Sequence, residues 1–128
     1  MASIFELESP SFGRSSTGKA LVAASNTAGT SLTAAQSVGA IITATPTGNR
    51  TITTATFAEI VAELGAQAKV GQTFELTIVN LAADTHTLTL AGGDAGVTVV
   101  GAAAVAAAST ATFIGRMNST SAIVFYRS

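Results

Sequence analysis

Hydrophobic and polar positions alternate most cleanly in the second half of the chain. From Gln72 to Asn80, Phe74, Leu76 and Ile78 fall on one side while Thr73, Glu75, Thr77 and Val79 fall on the other, which predicts a strand with one buried face. His86, Leu88 and Leu90 alternate with Thr85, Thr87 and Thr89 in the next strand, which Gly92-Gly93-Asp94 ends with turn residues. Three further short strands are expected at Val97–Val100, at Thr110–Arg116 around Phe113, and at Ala122–Arg127, where Ile123 and Phe125 oppose Val124 and Tyr126. Their close spacing, with polar or glycine turns between them, predicts an antiparallel sandwich or barrel.

One segment follows a helical period instead. Phe57, Ile60, Val61 and Leu64 occupy i, i+3, i+4 and i+7, which predicts a single short helix at about 56–64. Thr56 and Glu59 form a capping-box pattern at its start, and Gly65 supplies the stop. Before it, Ala40–Thr45 reads as a strand, Pro46-Thr47-Gly48-Asn49 as a turn, and Arg50–Thr54 as a second strand expected to pair back in a hairpin. Ala102–Ala108 is ambiguous, because alanine favours helix while its neighbours favour strands. Seven residues are too few for a helix that rests on propensity, so a strand or turn is expected there.

Residues 1 to 35 are rich in Ser, Thr, Ala and Gly, with an early apolar cluster of Ile4, Phe5, Leu7 and Phe12. The expected organisation is an extended N-terminal arm and connector over 1–35, then a single antiparallel β domain over 36–128. Such an arm is read either as a free tail or as a segment that orders on a neighbouring subunit.

Composition narrows the function more by exclusion than by indication. Only 10% of the 128 residues are charged, against roughly a quarter in ordinary soluble domains. Hydrophobic residues reach 48% with 5% aromatic, so small side chains carry the apolar character. A β surface so poor in charge usually meets protein. The net charge of -1 and pI near 5.6 offer no basic field for nucleic acid or for an anionic membrane. A mean hydropathy of +0.51 raises the question of a membrane span, yet the most apolar run, Val99–Ala108, is far shorter than the roughly 20 residues needed. The N-terminus places Glu6 and Glu8 before any basic residue, unlike a secretory signal. Without cysteine there is neither a disulfide framework nor a thiolate metal site.

Candidate chemistry is sparse. Asp84-Thr85-His86 sets a carboxylate and the one histidine on the same side of a strand, but a metal site would need further ligands from Glu75, Asp94 or a neighbouring subunit. No Gly-x-Ser-x-Gly elbow surrounds any serine. Glu59 and Glu63 lie one helical turn apart on an exposed face, a spacing that ordinarily means solvation. Gly92-Gly93-Asp94-Ala95-Gly96 lacks the Lys-Ser/Thr of a phosphate loop and reads as a hairpin connection. No catalytic residue, cofactor or metal is expected, and the chain does not read as an enzyme.

The segments VGQTFELTIVNLAADTHTLTLAGG (70–93) and GVTVVGAAAVAAASTATFIGRMNSTSAIVFYR (96–127) resemble the C-terminal β module of the head decoration, or capsid cement, proteins of tailed bacteriophages. TATPTGNRTITTATFAEIVAELGA (43–66) is similar to the turn, strand and helix that precede this module. The resemblance covers about the last two thirds of the chain. It implies a virion structural protein without catalysis, which binds the outer capsid surface as a homotrimer and bridges adjacent major capsid proteins. On that view Ile4, Phe5, Leu7 and Phe12 are the candidate capsid contacts. Phe113, Phe125 and Tyr126 are candidate intersubunit residues, with core packing the stronger expectation for the two phenylalanines. The alternative within phage structure is a trimeric fibre or receptor-binding module that recognises a host surface glycan.

Overall fold

A computed structural model describes residues 19–128. The chain winds through three successive coils. Each coil contributes one strand to a first sheet and one to a second, and in the first two coils a helix then returns to the first sheet. The first coil comprises β1 (Leu21–Ala23), β2 (Thr30–Ser31) and α1 (Ala34–Gly39); the second comprises β3 (Ile41–Ala44), β4 (Arg50–Thr53) and α2 (Phe57–Leu64). The third begins with β5 (Thr73–Asn80) and β6 (Leu88–Ala91). After it the chain makes β7 (Val97–Val100), β8 (Ala104–Val105) and the hairpin β9 (Ser109–Ser119) and β10 (Ala122–Arg127). The six-stranded sheet has the order β1-β3-β5-β9-β10-β7 and the four-stranded sheet the order β2-β4-β6-β8.

The fold is mainly β, with α2 the one helix longer than two turns among the described residues, but the expected antiparallel pairing is corrected to mixed sheets. Coiling in one direction stacks equivalent strands parallel, so β1–β3–β5 and β2–β4–β6 pair in parallel, as does β7 with β10. Antiparallel pairing is confined to β5–β9, β9–β10 and β6–β8. The expected hairpin between Ala40–Thr45 and Arg50–Thr54 does not form, because β3 and β4 belong to different sheets. Gly92–Gly96 likewise crosses between sheets, joining β6 to β7, and is no hairpin turn. The expected boundary at residue 35 also moves. Within 19–35, β1 pairs with β3 and β2 with β4, so this stretch belongs to the β domain.

Both helices start the same way. Thr33 Oγ1 accepts from Gln36 N at 3.2 Å while Gln36 Oε1 accepts from Thr33 N at 3.0 Å. Thr56 and Glu59 repeat the arrangement at 3.3 and 2.9 Å, so two reciprocal capping boxes satisfy orphan backbone donors at equivalent points of successive coils. Gly65, at φ +57, ends α2 in the positive-φ region that glycine enters without a Cβ penalty.

Alternation supplies the core. Ile42, Leu76, Ile78, Phe113, Ile123 and Phe125 from the first sheet meet Ile52, Leu88 and Val105 from the second, with Ile60 of α2 closing the third side; all are fully buried. Phe74 packs edge-to-face on Phe125, with ring centroids 5.6 Å apart. The alanine run forms no helix. Arg127 on the last strand donates to the carbonyls of Ala102 and Ala104 at 3.0 and 2.7 Å, holding the segment extended through β8, and Ala108 turns the chain at φ +56.

Gly115 on β9 sits opposite Phe74 of β5, and a Cβ there would collide with the Phe74 ring. Gly115→Ala is therefore expected to lower stability by about 1–3 kcal/mol, the usual range for overpacking, read as a lower urea midpoint with an unchanged slope.

Candidate functional site

Buried polar side chains are few, and each one joins elements. Ser37 on α1 donates to Thr33 O at 2.8 Å and accepts from Ala55 N at 2.9 Å, linking the first helix to the segment between β4 and α2. Thr54 accepts from Gly93 N at 3.0 Å while its hydroxyl donates to Ala55 O at 2.8 Å. Asn80, at the end of β5, continues the inward stripe of Leu76 and Ile78. Its amide donates to His86 O at 2.9 Å and Val105 O at 3.0 Å, and its oxygen accepts from Ala82 N at 3.0 Å. These groups are satisfied by the fold itself. That pattern belongs to architecture rather than to a reactive centre.

The groups with chemical flavour do not converge. His86 Nε2 lies 3.7 Å from Asp84 Oδ2, and Asp84 Oδ1 accepts from His86 N at 3.4 Å, both at an exposed turn before β6. Asp94 Oδ1 accepts from Phe57 N at 3.2 Å and Gly96 N at 3.1 Å, so that carboxylate supports the first turn of α2. Glu59 is used by its own helix cap and Glu75 by Lys19, at 2.8 Å. Among the described residues no three or more His, Cys, Asp and Glu side chains gather closely enough to hold a metal ion. None of their helices is long and apolar enough to cross a membrane.

What the fold does assemble is surface. The outer face of the four-stranded sheet carries Ser31, Thr51, Thr53, Thr89, Ala91 and Ala104, opposite the buried Ile52, Leu88, Leu90 and Val105. These outward side chains are small and uncharged. On the six-stranded sheet, alternation turns Ile41, Thr77, Val79, Thr112, Ile114 and Val124 outward, and the Thr77 and Thr112 hydroxyls meet at 3.3 Å. Val100 and Tyr126 stand side by side on β7 and β10, both exposed. The charges on this face are Glu75, paired with Lys19, and Arg116, bonded to Asn118 Oδ1 at 2.7 Å.

The sequence-expected site residues separate in three ways. Ile4, Phe5, Leu7 and Phe12 lie outside the described residues. Phe113 and Phe125 are fully buried within a single chain; as core residues they present no surface to a neighbour, so their intersubunit assignment is set aside. Tyr126 is 36% exposed and its hydroxyl accepts from Asn118 Nδ2 at 2.7 Å. Asn80 was not singled out by sequence. The available signal was an asparagine continuing the buried i, i+2 stripe of a strand, a place that a polar residue holds only when its hydrogen bonds are met.

Compared with protein-family models, with curated proteins and with solved structures, the chain matches none.

Asn80→Leu keeps the approximate volume but leaves His86 O, Val105 O and Ala82 N without their partner. Each buried polar group so stranded costs about 1–3 kcal/mol, so a loss of about 3 kcal/mol or more is expected in urea unfolding. Asp84→Asn and His86→Ala, at the exposed turn, are expected to stay within about 0.5 kcal/mol of the parent.

Proposed function

We propose that the chain is a virion structural protein that binds the outer surface of a phage capsid as a homotrimer and bridges adjacent major capsid proteins. The observation that carries this reading is the make-up of the two outer sheet faces. They are extended, rich in threonine, alanine and aliphatic residues, and nearly free of charge, while the polar side chains inside serve the fold. Such faces lose little on desolvation and gain from burial against protein. The trimeric state and the capsid as partner come from the resemblance of residues 43–66, 70–93 and 96–127 to decoration proteins.

The mechanism is linkage. A protein that binds the assembled lattice but not its separate subunits stabilises the lattice by mass action. Three copies held together multiply the effect, because once one copy is seated the others bind at high effective concentration. The apolar cluster that begins at Ile4, Phe5 and Leu7 is the element proposed to reach the shell. A glycan-binding fibre module would call for an exposed aromatic platform with free polar groups, and the exposed aromatic among the described residues, Tyr126, has its hydroxyl engaged by Asn118.

Co-sedimentation with shells of the phage that encodes the chain tests the proposal. The parent protein is expected to pellet with assembled shells and to stay in the supernatant with unassembled capsid subunits. Changing Ile4, Phe5 and Leu7 together to Asp is expected to weaken shell binding at least tenfold with no change in thermal midpoint. Equal binding by that variant would remove the arm from the account, and failure of the parent to pellet would remove the capsid.

A further inference from the structure

We propose that Lys69 and Val70 of one copy dock into the groove between the first turn of α1 and the exposed side of α2 on the next copy, so that each chain of the homotrimer gives and receives the same contact. The inference rests on the trimeric reading above and adds to it the two surfaces that meet. The groove has a volume of about 570 Å³ and runs between Leu32, Thr33 and Ala34 on one side and Glu59, Ala62 and Glu63 on the other. Its floor is apolar, set by Leu32, which belongs to the core, and by the two alanines. Its rim is acidic. Glu59 Oε1 is taken by the amide and hydroxyl of Thr56, whereas Glu63 is exposed and has no hydrogen-bond or ion-pair partner among the described residues. An apolar floor under a carboxylate rim calls for an aliphatic side chain with a cation beside it.

That pair stands just beyond α2. The short turn Gly65–Gln67 and Ala68 carry the chain off the helix, after which Lys69 and Val70 are both exposed, Val70 at 55%. Backbone bonds on either side hold them in place. Lys69 N donates to Gln67 O at 2.8 Å, Gln72 N donates to Lys69 O at 2.9 Å, and Gly71 N donates to Met117 O at 2.8 Å. The projection is therefore preformed, which lowers the ordering cost of docking.

Charge selects the same two partners. Lys19, Arg50, Arg116 and Arg127 serve Glu75, Asn26 and Thr47, Asn118, and the Ala102 and Ala104 carbonyls. Lys69 is the cation left without such a partner among the described residues. Of the described carboxylates, Glu75 is paired with Lys19, Asp84 lies against His86, and Asp94 and Glu59 are used at the start of α2, so Glu63 is the counterpart of Lys69. Neither Lys69 nor Val70 lines the groove of its own chain, which assigns their meeting to different copies. Because exposed ion pairs add little by themselves, burial of Val70 and of the Lys69 stem holds the contact, and the charges set its register.

Such a contact joins two different patches, so it is head-to-tail, and a ring of three leaves no patch unmatched. A side chain in a groove falls far short of the roughly 800 Å² per partner that a stable interface buries. The uncharged sheet faces border both halves. Val70 leads through Gly71 into β5 of the larger sheet, and Ser31, which also lines the groove, belongs to the outer face of the smaller one.

The chain has no cysteine, so an engineered pair reads the contact in the full-length protein. Oxidation of Ala62→Cys/Val70→Cys is expected to give chains linked in twos and threes on a non-reducing gel. Glu63→Lys and Lys69→Glu, each with the parent's circular dichroism spectrum, are expected to dissociate on dilution at a concentration at least tenfold above the parent's, as read by light scattering. The charge-swapped double variant Glu63→Lys/Lys69→Glu is expected to return to within about threefold of the parent. A parent that is trimeric while the disulfide is absent or closes within one chain, or while both single variants hold together as the parent does, would overturn this contact and leave the trimer standing. Linkage that stops at two chains would also overturn it, since the contact would then be reciprocal within a pair. A parent that is a monomer at every concentration would remove the trimer itself, and this contact with it.

Discussion

Two sheets that share one core must be tied together where the chain leaves one for the other, and the buried amide of Asn80 is that tie. It sits at the last residue of β5, the first strand of the third coil. With three hydrogen bonds it holds the following turn at Ala82, the approach to β6 at His86 and the short strand β8 at Val105. β8 contributes two residues to the edge of the smaller sheet, too few to hold their place by ladder bonds alone. With Val105 fixed by Asn80 and the preceding carbonyls held by Arg127, the alanine run stays extended and the smaller sheet acquires its fourth strand. Ser37 and Thr54 perform the same task between α1, the end of β4 and the β6–β7 crossing. The polar interior is therefore a set of joints between coils, and each joint is satisfied.

How much of this was legible follows from the range of each interaction. α2 was read correctly because its period, cap and stop are all local, within Thr56–Gly65. β5, β9 and β10 were legible because each alternates over six or more residues. Strand partners were not, since a parallel coil and an antiparallel meander demand the same alternation and differ only in which distant strand lies alongside. β1 and β2, three and two residues long, are too short to show a period, so the first coil read as a connector. A signal for it did exist: Thr33-Ala34-Ala35-Gln36 repeats the capping box of Thr56-Phe57-Ala58-Glu59. Recognising two equivalent helix starts would have pointed to stacked coils. Of the candidate site, only the poverty of charge was legible, because outer faces exist only once strand pairing has fixed which side of each strand looks out.

Structure and composition meet in those faces. An ordinary solvated sheet alternates apolar-in with charged-out. Here the outward positions alternate instead with threonine, alanine, valine and isoleucine, and of the few charges on the larger sheet Glu75 is paired with Lys19 while Arg116 is hydrogen-bonded to Asn118. A chain that keeps its interior fully satisfied and its exterior nearly neutral is suited to persistent contact with other protein surfaces.

The account's central claim is that these faces work by association, with three copies forming the active unit. The native mass of the full-length chain, measured by light scattering across a size-exclusion peak, tests it most directly. The account predicts three times the chain mass of 12.7 kDa, unchanged when the sample is diluted tenfold. A mass of one chain at every concentration would contradict it, and would leave the uncharged sheet faces without the partner assigned to them.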